Sequence, residues 1–372
     1  MTDKSYLRAS RLAQVSFCGT MSAMTSAGGP TPAPHAPERR GRPRRIVVRL
    51  AAGTLVGLLL VELMTRIATH SLFLWGSDDM RGKYGMMDPV VGRIPRPGVS
   101  VRLSGGADIT IGDHSTRNNG QPKPARERPV TLVVGDSFAF GDGVSDDASW
   151  PAILERLSGE RVINGAVPGF GLDQAVLRAS ELADVYAPET ILVGFIPHDI
   201  RRCEMSFWSG NAKPYFDIDQ TGNLRLEPAP PLPEVSGATL RKVLSYSVAM
   251  DRLFTKFLHW EAPNTVVHHQ GREVACLLMD RLAALGRDRS ARVVVMAQPQ
   301  EPTTRPEDRE LTEPILDCAR ESGLRVLDLL DAIAQLAPEQ RSKLFLRHMT
   351  VEGNTLVATQ MLAFLAQSAP SP

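Results

Sequence analysis

Three short apolar runs, Val130–Val134, Ile191–Ile196 and Val293–Ala297, constrain the fold of this chain more than any other feature. Runs of this length, almost free of polar residues, suit strands covered on both faces, as in the parallel sheet of an α/β domain. Arg325–Leu329 reads the same way, and Glu160–Ile163 reads as a shorter extended piece. Helical periodicity fills the intervals at Trp150–Leu157, Leu172–Val185 and Glu310–Glu321. Thr350 is placed to cap a last helix that runs to about Leu365. Strand and helix alternating in this order predict an α/β domain: a three-layer α/β/α sandwich on a doubly wound parallel sheet with right-handed crossovers.

Directly after the first run comes Gly135-Asp136-Ser137. A serine there stands where a buried strand ends and a helix begins, and helix-terminal N–H groups point outward at such a place. Its hydroxyl is a poor nucleophile until a base removes the proton, and histidine has the pKa for that task. His348, on the loop entering the last helix, is the candidate partner. Asp136 reads as the residue that shapes the turn, and Gly141-Asp142-Gly143 as a turn too; without a following Gly-Lys-Ser/Thr it is not a phosphate loop.

The 372 residues are 43% apolar, enough for one domain of roughly 230–270 residues plus appendages. Lysine and arginine (42) nearly balance aspartate and glutamate (41), so no overall field argues for a nucleic-acid partner. Six arginines from Arg39 to Arg49 are packed just before the apolar run that starts at Leu50, and Ile46–Ile67 is long enough to cross a bilayer with Arg49 and Arg66 snorkelling at its ends. Glu62 is the awkward member, and Trp75 suits an outer interfacial anchor. This predicts one N-terminal transmembrane helix, with the N-terminus cytoplasmic and the rest periplasmic or extracellular. A cleaved signal peptide and a buried amphipathic helix are the competing readings.

The expected organisation is a disordered basic tail over 1–45, an anchor over 46–68, an irregular juxtamembrane segment over 69–125, the α/β domain over 126–366 and a short tail over 367–372. An insertion at about 200–270 interrupts the domain, with a hairpin turning at Thr221-Gly222-Asn223 and helical spacing from Leu240 to Leu258. Tyr215, Phe216, Phe207 and Trp208 either line a cleft or form the insertion's own core. His259, His268 and His269 lack ligand spacing and read as solvent-facing. Of the four cysteines, Cys18, Cys203, Cys276 and Cys318, none forms a Cys-x-x-Cys pair, and export would leave three outside and one of them unpaired. No residue set has metal-ligand spacing, and acyl transfer through a serine requires no metal or organic cofactor.

Four blocks, in order, resemble those of the SGNH/GDSL hydrolases over about residues 125–366. Val133-Val134-Gly135-Asp136-Ser137-Phe138 is similar to the first block, which implies Ser137 as nucleophile and its N–H as an oxyanion donor. Asn164-Gly165-Ala166-Val167-Pro168-Gly169 is similar to the second, implying that the Gly169 N–H lines the same hole. Val193–Asp199 falls where the third block, Gly-x-Asn-Asp, would lie, and His348–Asn354 resembles the fifth, implying His348 as general base. The resemblance implies the flavodoxin-like arrangement of that family and cleavage of a small-molecule, glycan or lipid ester through an acyl-enzyme. The alternatives are O-acyl transfer to a surface glycan and a non-catalytic binding or assembly module.

Two departures from the pattern stand out. His198 occupies the position of the family's asparagine donor; a neutral imidazole either donates to the oxyanion in its place or only packs and pairs with Asp199. The family's aspartate, two or three positions before the histidine, is replaced by Leu346 and Phe345. The imidazole is then fixed by a backbone carbonyl or by a more distant acid such as Asp328 or Asp331, or the site is a bare Ser–His dyad.

Overall fold

The structure, a computed structural model, describes residues 42–68, 84–102, 106–120, 126–209, 211–231, 246–250, 253, 264–302 and 305–367. Most of the tail expected over 1–45, Trp75, His259, most of Leu240–Leu258 and residues 368–372 lie outside them. The chain divides into two compact units, Met1–Val56 and Gly57–Pro372.

Helix α1 (Arg42–Ala68) contains Arg45–Ile67, 23 residues with a mean hydropathy of 2.1, long and apolar enough to cross a membrane. Leu50, Leu55 and Leu59 on it are exposed. A signal sequence has the same length and composition. Within the second unit Glu62 is fully engaged. It accepts from the Ser247 hydroxyl (2.7 Å) and from the N–H groups of Val248 and Ala249 (both 3.0 Å), and Arg66 pairs with it at 2.6 Å.

Short antiparallel pairs come next: β1 (Gly85–Asp88) with β2 (Gly92–Pro95), and β3 (Ser100–Arg102) with β4 (Asp108–Thr110). The domain proper opens with β5 (Arg126–Gly135), the one-turn helix α2 (Ser137–Phe140), α3 (Trp150–Ser158), β6 (Glu160–Asn164), α4 (Leu172–Tyr186) and β7 (Thr190–Phe195). After α5 (Pro197–Arg202) the insertion adds β8 (Met205–Trp208), β9 (Asn211–Ala212), the hairpin β10 (Tyr215–Ile218) with β11 (Leu224–Glu227), and β12 (Thr265–Val266). The chain then returns through α6 (Gly271–Arg289), β13 (Arg292–Ala297), α7 (Pro306–Glu321), β14 (Arg325–Asp328), α8 (Leu329–Ala334) and α9 (Pro338–Lys343). It finishes with a two-residue hairpin, β15 (Phe345–Leu346) and β16 (His348–Met349), and with α10 (Val351–Ala366).

Five parallel strands make the sheet, in the order β14-β13-β7-β5-β6. Successive residues face opposite ways in a strand, and the burial follows that period of two. Leu132, Val134, Ile191, Val193, Val293 and Val295 pack against α4, α6 and α7, where Leu172, Leu182, Leu278 and Ile315 are buried. Val133, Leu192, Val294 and Met296 face the other layer, with Trp150, Ile153, Leu329, Val357 and Met361 of α3, α8 and α10. This is the expected three-layer sandwich on a doubly wound, flavodoxin-like sheet. The direction of winding reverses between β5 and β7, so the crevice for a ligand opens at the carboxyl ends of those two strands.

The segment before β5 meets the domain where Arg117 forms a bridge with Asn164 at the sheet edge. Two expectations change. Helix α6 was not anticipated. His268, expected in solvent, is half-buried with its Nε2 2.9 Å from the Phe216 carbonyl oxygen. Phe216 is core, and His269 is exposed as expected.

Cys276 of α6 and Cys318 of α7 form a disulfide across 42 residues, while Cys203 is buried and free. Closing a loop of that length removes about 4 kcal/mol of chain entropy from the unfolded state. The double variant Cys276→Ser/Cys318→Ser is expected to lose about 2–4 kcal/mol in denaturant unfolding, with the surroundings of Ser137 intact because neither cysteine is among the residues lining the cavity beside it.

Candidate active site

The site begins with a contact only glycine allows. A Cβ on Gly135, which has φ +152°, would sit 2.3 Å from the Gly194 carbonyl oxygen and 2.8 Å from the Ala139 side chain. Gly135 and Gly194 are register partners on β5 and β7, so this crowding occurs at the switch point itself. The chain then turns into α2, whose N-cap is Asp136; its Oδ1 accepts from the Phe138 N–H at 2.9 Å. Ser137 takes the first helical position, where its own N–H has no intrahelical acceptor.

His348 arrives from the far end of the chain. Its loop is a hairpin, with Leu346 opposite His348 and Arg347 at φ +69° in the turn. Thr350 caps α10 as expected, its hydroxyl accepting from the Gly353 N–H at 3.2 Å. Asn354 fastens the loop to the domain: its amide donates to the Met349 and Thr350 carbonyls, and its Oδ1 accepts from the Trp150 N–H at 2.9 Å. The outcome is His348 Nε2 at 2.9 Å from Ser137 Oγ, across 211 residues of sequence.

Both side chains line a cavity of about 600 Å³. Gly169 lines it as well, in a left-handed turn (φ +87°) beside the Trp208 indole. Tyr84, Arg93, Ile94, Val101 and Ile109 come from the juxtamembrane segment, and Trp208, Asn211 and Lys213 from the insertion. Of the four insertion aromatics, Trp208 is the one that reaches the cavity. His198 does not: it lines a separate cleft with Arg201, Arg305 and Asp308, and its ring stands edge-on to Trp208 at 4.9 Å. The structure therefore brings Ser137, His348 and Gly169 together and leaves His198 outside, with Trp208 between.

Behind the serine lies a dense charge network. Arg202, buried, donates to Asp199 at 2.6 Å and to the Phe170 carbonyl at 2.8 Å, and stands 3.7 Å from Asp136. Asp199 turns its other oxygen back to the Ile196 N–H. Lys213 pairs with Asp173 at 2.6 Å and donates to the carbonyls of Arg202 and Met205. Burial pushes the carboxyls of Asp136 and Asp199 up, with Arg202 pulling both back; Asp136 raises Asp199 further.

The replacement acids proposed from chain position are elsewhere. Asp328 and Asp331 both pair with Arg309 on α7. The carboxylate that faces the His348 ring is Asp142, with Oδ2 at 3.9 Å from Nδ1. The sequence had presented it only as the middle of a turn.

No family model matches the chain, and no curated protein matches it either. Among solved structures it is similar to TesA, at 14% identity and a TM-score of 0.37, over 64% of this chain and 98% of that one. An acetylxylan esterase, Axe2 from Geobacillus stearothermophilus, gives 14% and 0.38 over 65% and 96%. A lipase/acylhydrolase from Enterococcus faecalis gives 12% and 0.37 over 65% and 98%. Likeness at that level carries nothing about chemistry; the distances within the cavity do.

His198 yields a pH signature of its own. Burial, then the charges of Arg202 and Arg201, pull its pKa from 6.5 down to about 4. The unfolded chain therefore takes up this proton first, and stability falls as pH drops from about 6.5 towards 4. Because the ring is partly exposed, the loss is about 1–2 kcal/mol rather than the full linkage value. Replacing it, His198→Gln, is expected to flatten the stability profile over that interval, as measured by denaturant midpoints at a series of pH values.

Proposed function

We propose that this protein is a membrane-anchored serine esterase of the SGNH/GDSL type. The observation that carries the reading is the 2.9 Å approach of His348 Nε2 to Ser137 Oγ inside a cavity at the sheet's switch point. A hydroxyl and an imidazole at hydrogen-bond distance are the parts that acyl transfer requires, and the order of motif blocks points the same way.

The reaction runs in two halves. Ser137 Oγ attacks the ester carbonyl carbon while His348 Nε2 takes the hydroxyl proton. The tetrahedral oxyanion rests on the N–H groups of Ser137 and Gly169. The carbon–oxygen bond to the alcohol breaks as His348 returns the proton to the leaving oxygen. Water, giving its proton to His348, then attacks the acyl-enzyme, and release of the acid restores the serine hydroxyl.

The helix Arg45–Ile67 supports anchoring in a membrane, and the arginines that precede it favour a cytoplasmic N-terminus. The Cys276–Cys318 disulfide supports the same orientation, since such bonds persist in oxidising compartments outside the cytosol.

A fluorophosphonate probe tests the reading on the full-length chain in detergent. Wild type is expected to be labelled and to hydrolyse p-nitrophenyl esters; Ser137→Ala abolishes both, and His348→Ala lowers kcat/KM by about 10³–10⁴. Folded wild-type protein that neither labels nor hydrolyses would remove the esterase from consideration.

A further inference from the structure

The acid that His348 lacks at Leu346 and Phe345 is supplied from the other side of the ring. Leu346 is 81% exposed and points to solvent, while Phe345 is buried in the core, so neither position holds a polar group on the imidazole. Asp136 lies closer to the serine, with Oδ2 at 3.4 Å from Oγ, yet its carboxylate serves the Phe138 N–H and stands beside Arg202. Across the ring from the serine, Asp142 Oδ2 is 3.9 Å from Nδ1. We propose that Asp142 is the positioning residue of His348, holding the imidazole in the tautomer that leaves Nε2 free to take the Ser137 proton. The inference rests on the Ser137–His348 reading above.

One turn of backbone presents both groups. The N–H groups of Gly141 and Asp142 donate to the same Ser137 carbonyl, at 3.0 and 2.9 Å. Gly141 sits at φ +84°, where a Cβ would come within 2.5 Å of the Ser149 side chain, so the chain closes tightly there. Arg117 pins the turn on both sides of Asp142. With its side chain fully buried, it donates to the carbonyls of Phe140 (2.7 Å), Gly141 (2.6 Å) and Val144 (2.6 Å), and to Asp146. Asn164 adds a bond to the Phe140 carbonyl at 3.2 Å. The Asp142 backbone is thereby held as firmly as the nucleophile's, and the imidazole enters between the two side chains.

At 3.9 Å the two groups are not yet hydrogen-bonded, and Asp142, about one-third exposed, has room to rotate and shorten the gap once substrate fills the cavity. No proton passes to Asp142. The proton moves from Ser137 Oγ to Nε2, and the carboxylate stays ionised to offset the imidazolium. The other charged or titratable groups around the pair are Asp136, which faces His348 from the N-cap, and Tyr84 and Arg117, which face Asp142.

The test uses the full-length chain in detergent and two readouts. Asp142→Asn is expected to lower kcat by about 10–100-fold with KM within about twofold, and Asp142→Glu to regain most of it. Asp331→Asn, which touches only Arg309, is expected to leave kcat unchanged. NMR of the His348 imidazole, assigned with His348→Gln, is expected to show the Nδ1-protonated tautomer in wild type and a mixture of tautomers in Asp142→Asn. A variant with unchanged kcat and an unchanged tautomer overturns the proposal while Ser137 labelling keeps the esterase reading. If wild type fails to label, the esterase reading falls, and an unmoved tautomer still decides against Asp142.

Discussion

A guanidinium buried behind Ser137 holds three of the loops that form the site in one arrangement. Arg202 reaches the Asp136 carboxylate at the start of the serine turn, the Phe170 carbonyl next to Gly169, and Asp199 after β7. These loops leave three different strands, and a backbone bond from the Val167 N–H to the Gly135 carbonyl (3.0 Å) joins the first two. A buried charge among two carboxylates contributes little net stability, because desolvation offsets the attraction. Removing one member, however, leaves the others uncompensated, so alternative packings of these loops are costly. The network is better understood as setting geometry than as adding free energy, and the Gly169 N–H is the group whose aim depends on it most directly.

Arg117 does for the loop Phe140–Asp146 what Arg202 does for the others, and it comes from outside the α/β domain. It belongs to the segment between the first helix and β5, which also contributes Tyr84, Arg93 and Ile94 to the cavity wall. A sandwich cut at residue 126 would therefore lose part of its cavity and the staple on its nucleophile turn. Within the second unit, Glu62 meets three donors around Ser247 as well as Arg66, and Arg66 itself donates to the Tyr246 carbonyl. The carboxylate that looked out of place in the sequence is thus satisfied by the insertion.

The sheet was legible because its information is local. Val130–Val134, Ile191–Ile196 and Val293–Ala297 carry their burial in composition, and the observed strands extend each by at most a few residues. Ser137 and His348 could be singled out because each lies beside an element end marked in the sequence, Gly135 closing β5 and Thr350 capping α10, and Gly169 because it falls in a glycine-rich loop after β6. Helix α6 was hidden because its apolar stripe, Val274, Leu278, Leu282 and Leu285, is diluted by Arg272, Asp280, Arg281, Arg287 and Asp288. For His198 the sequence left two roles open, because chain position after β7 does not say which way a side chain turns; the ring lines a separate cleft and packs edge-on against Trp208. Asp142 was missed for a similar reason. Its partner is about two hundred positions away on another loop, and nothing in a Gly-Asp-Gly turn announces which ring it will meet.

Placing the histidine's acid at the rim also resolves an electrostatic difficulty. Behind the serine two carboxylates, Asp136 and Asp199, already share a single buried guanidinium, and burial raises both of their pKa values. A third carboxylate in that layer would sit among like charges in a medium of low dielectric, and protonation would neutralise it. A protonated acid cannot offset an imidazolium. Asp142, about one-third exposed, keeps its hydration on one side while the ring occupies the other. The weaker attraction of a half-solvated pair is exchanged for a charge that is present when the proton moves. Leu346, exposed two positions before His348, takes no part in the pair, and on our proposal the acid comes instead from the turn that follows Ser137.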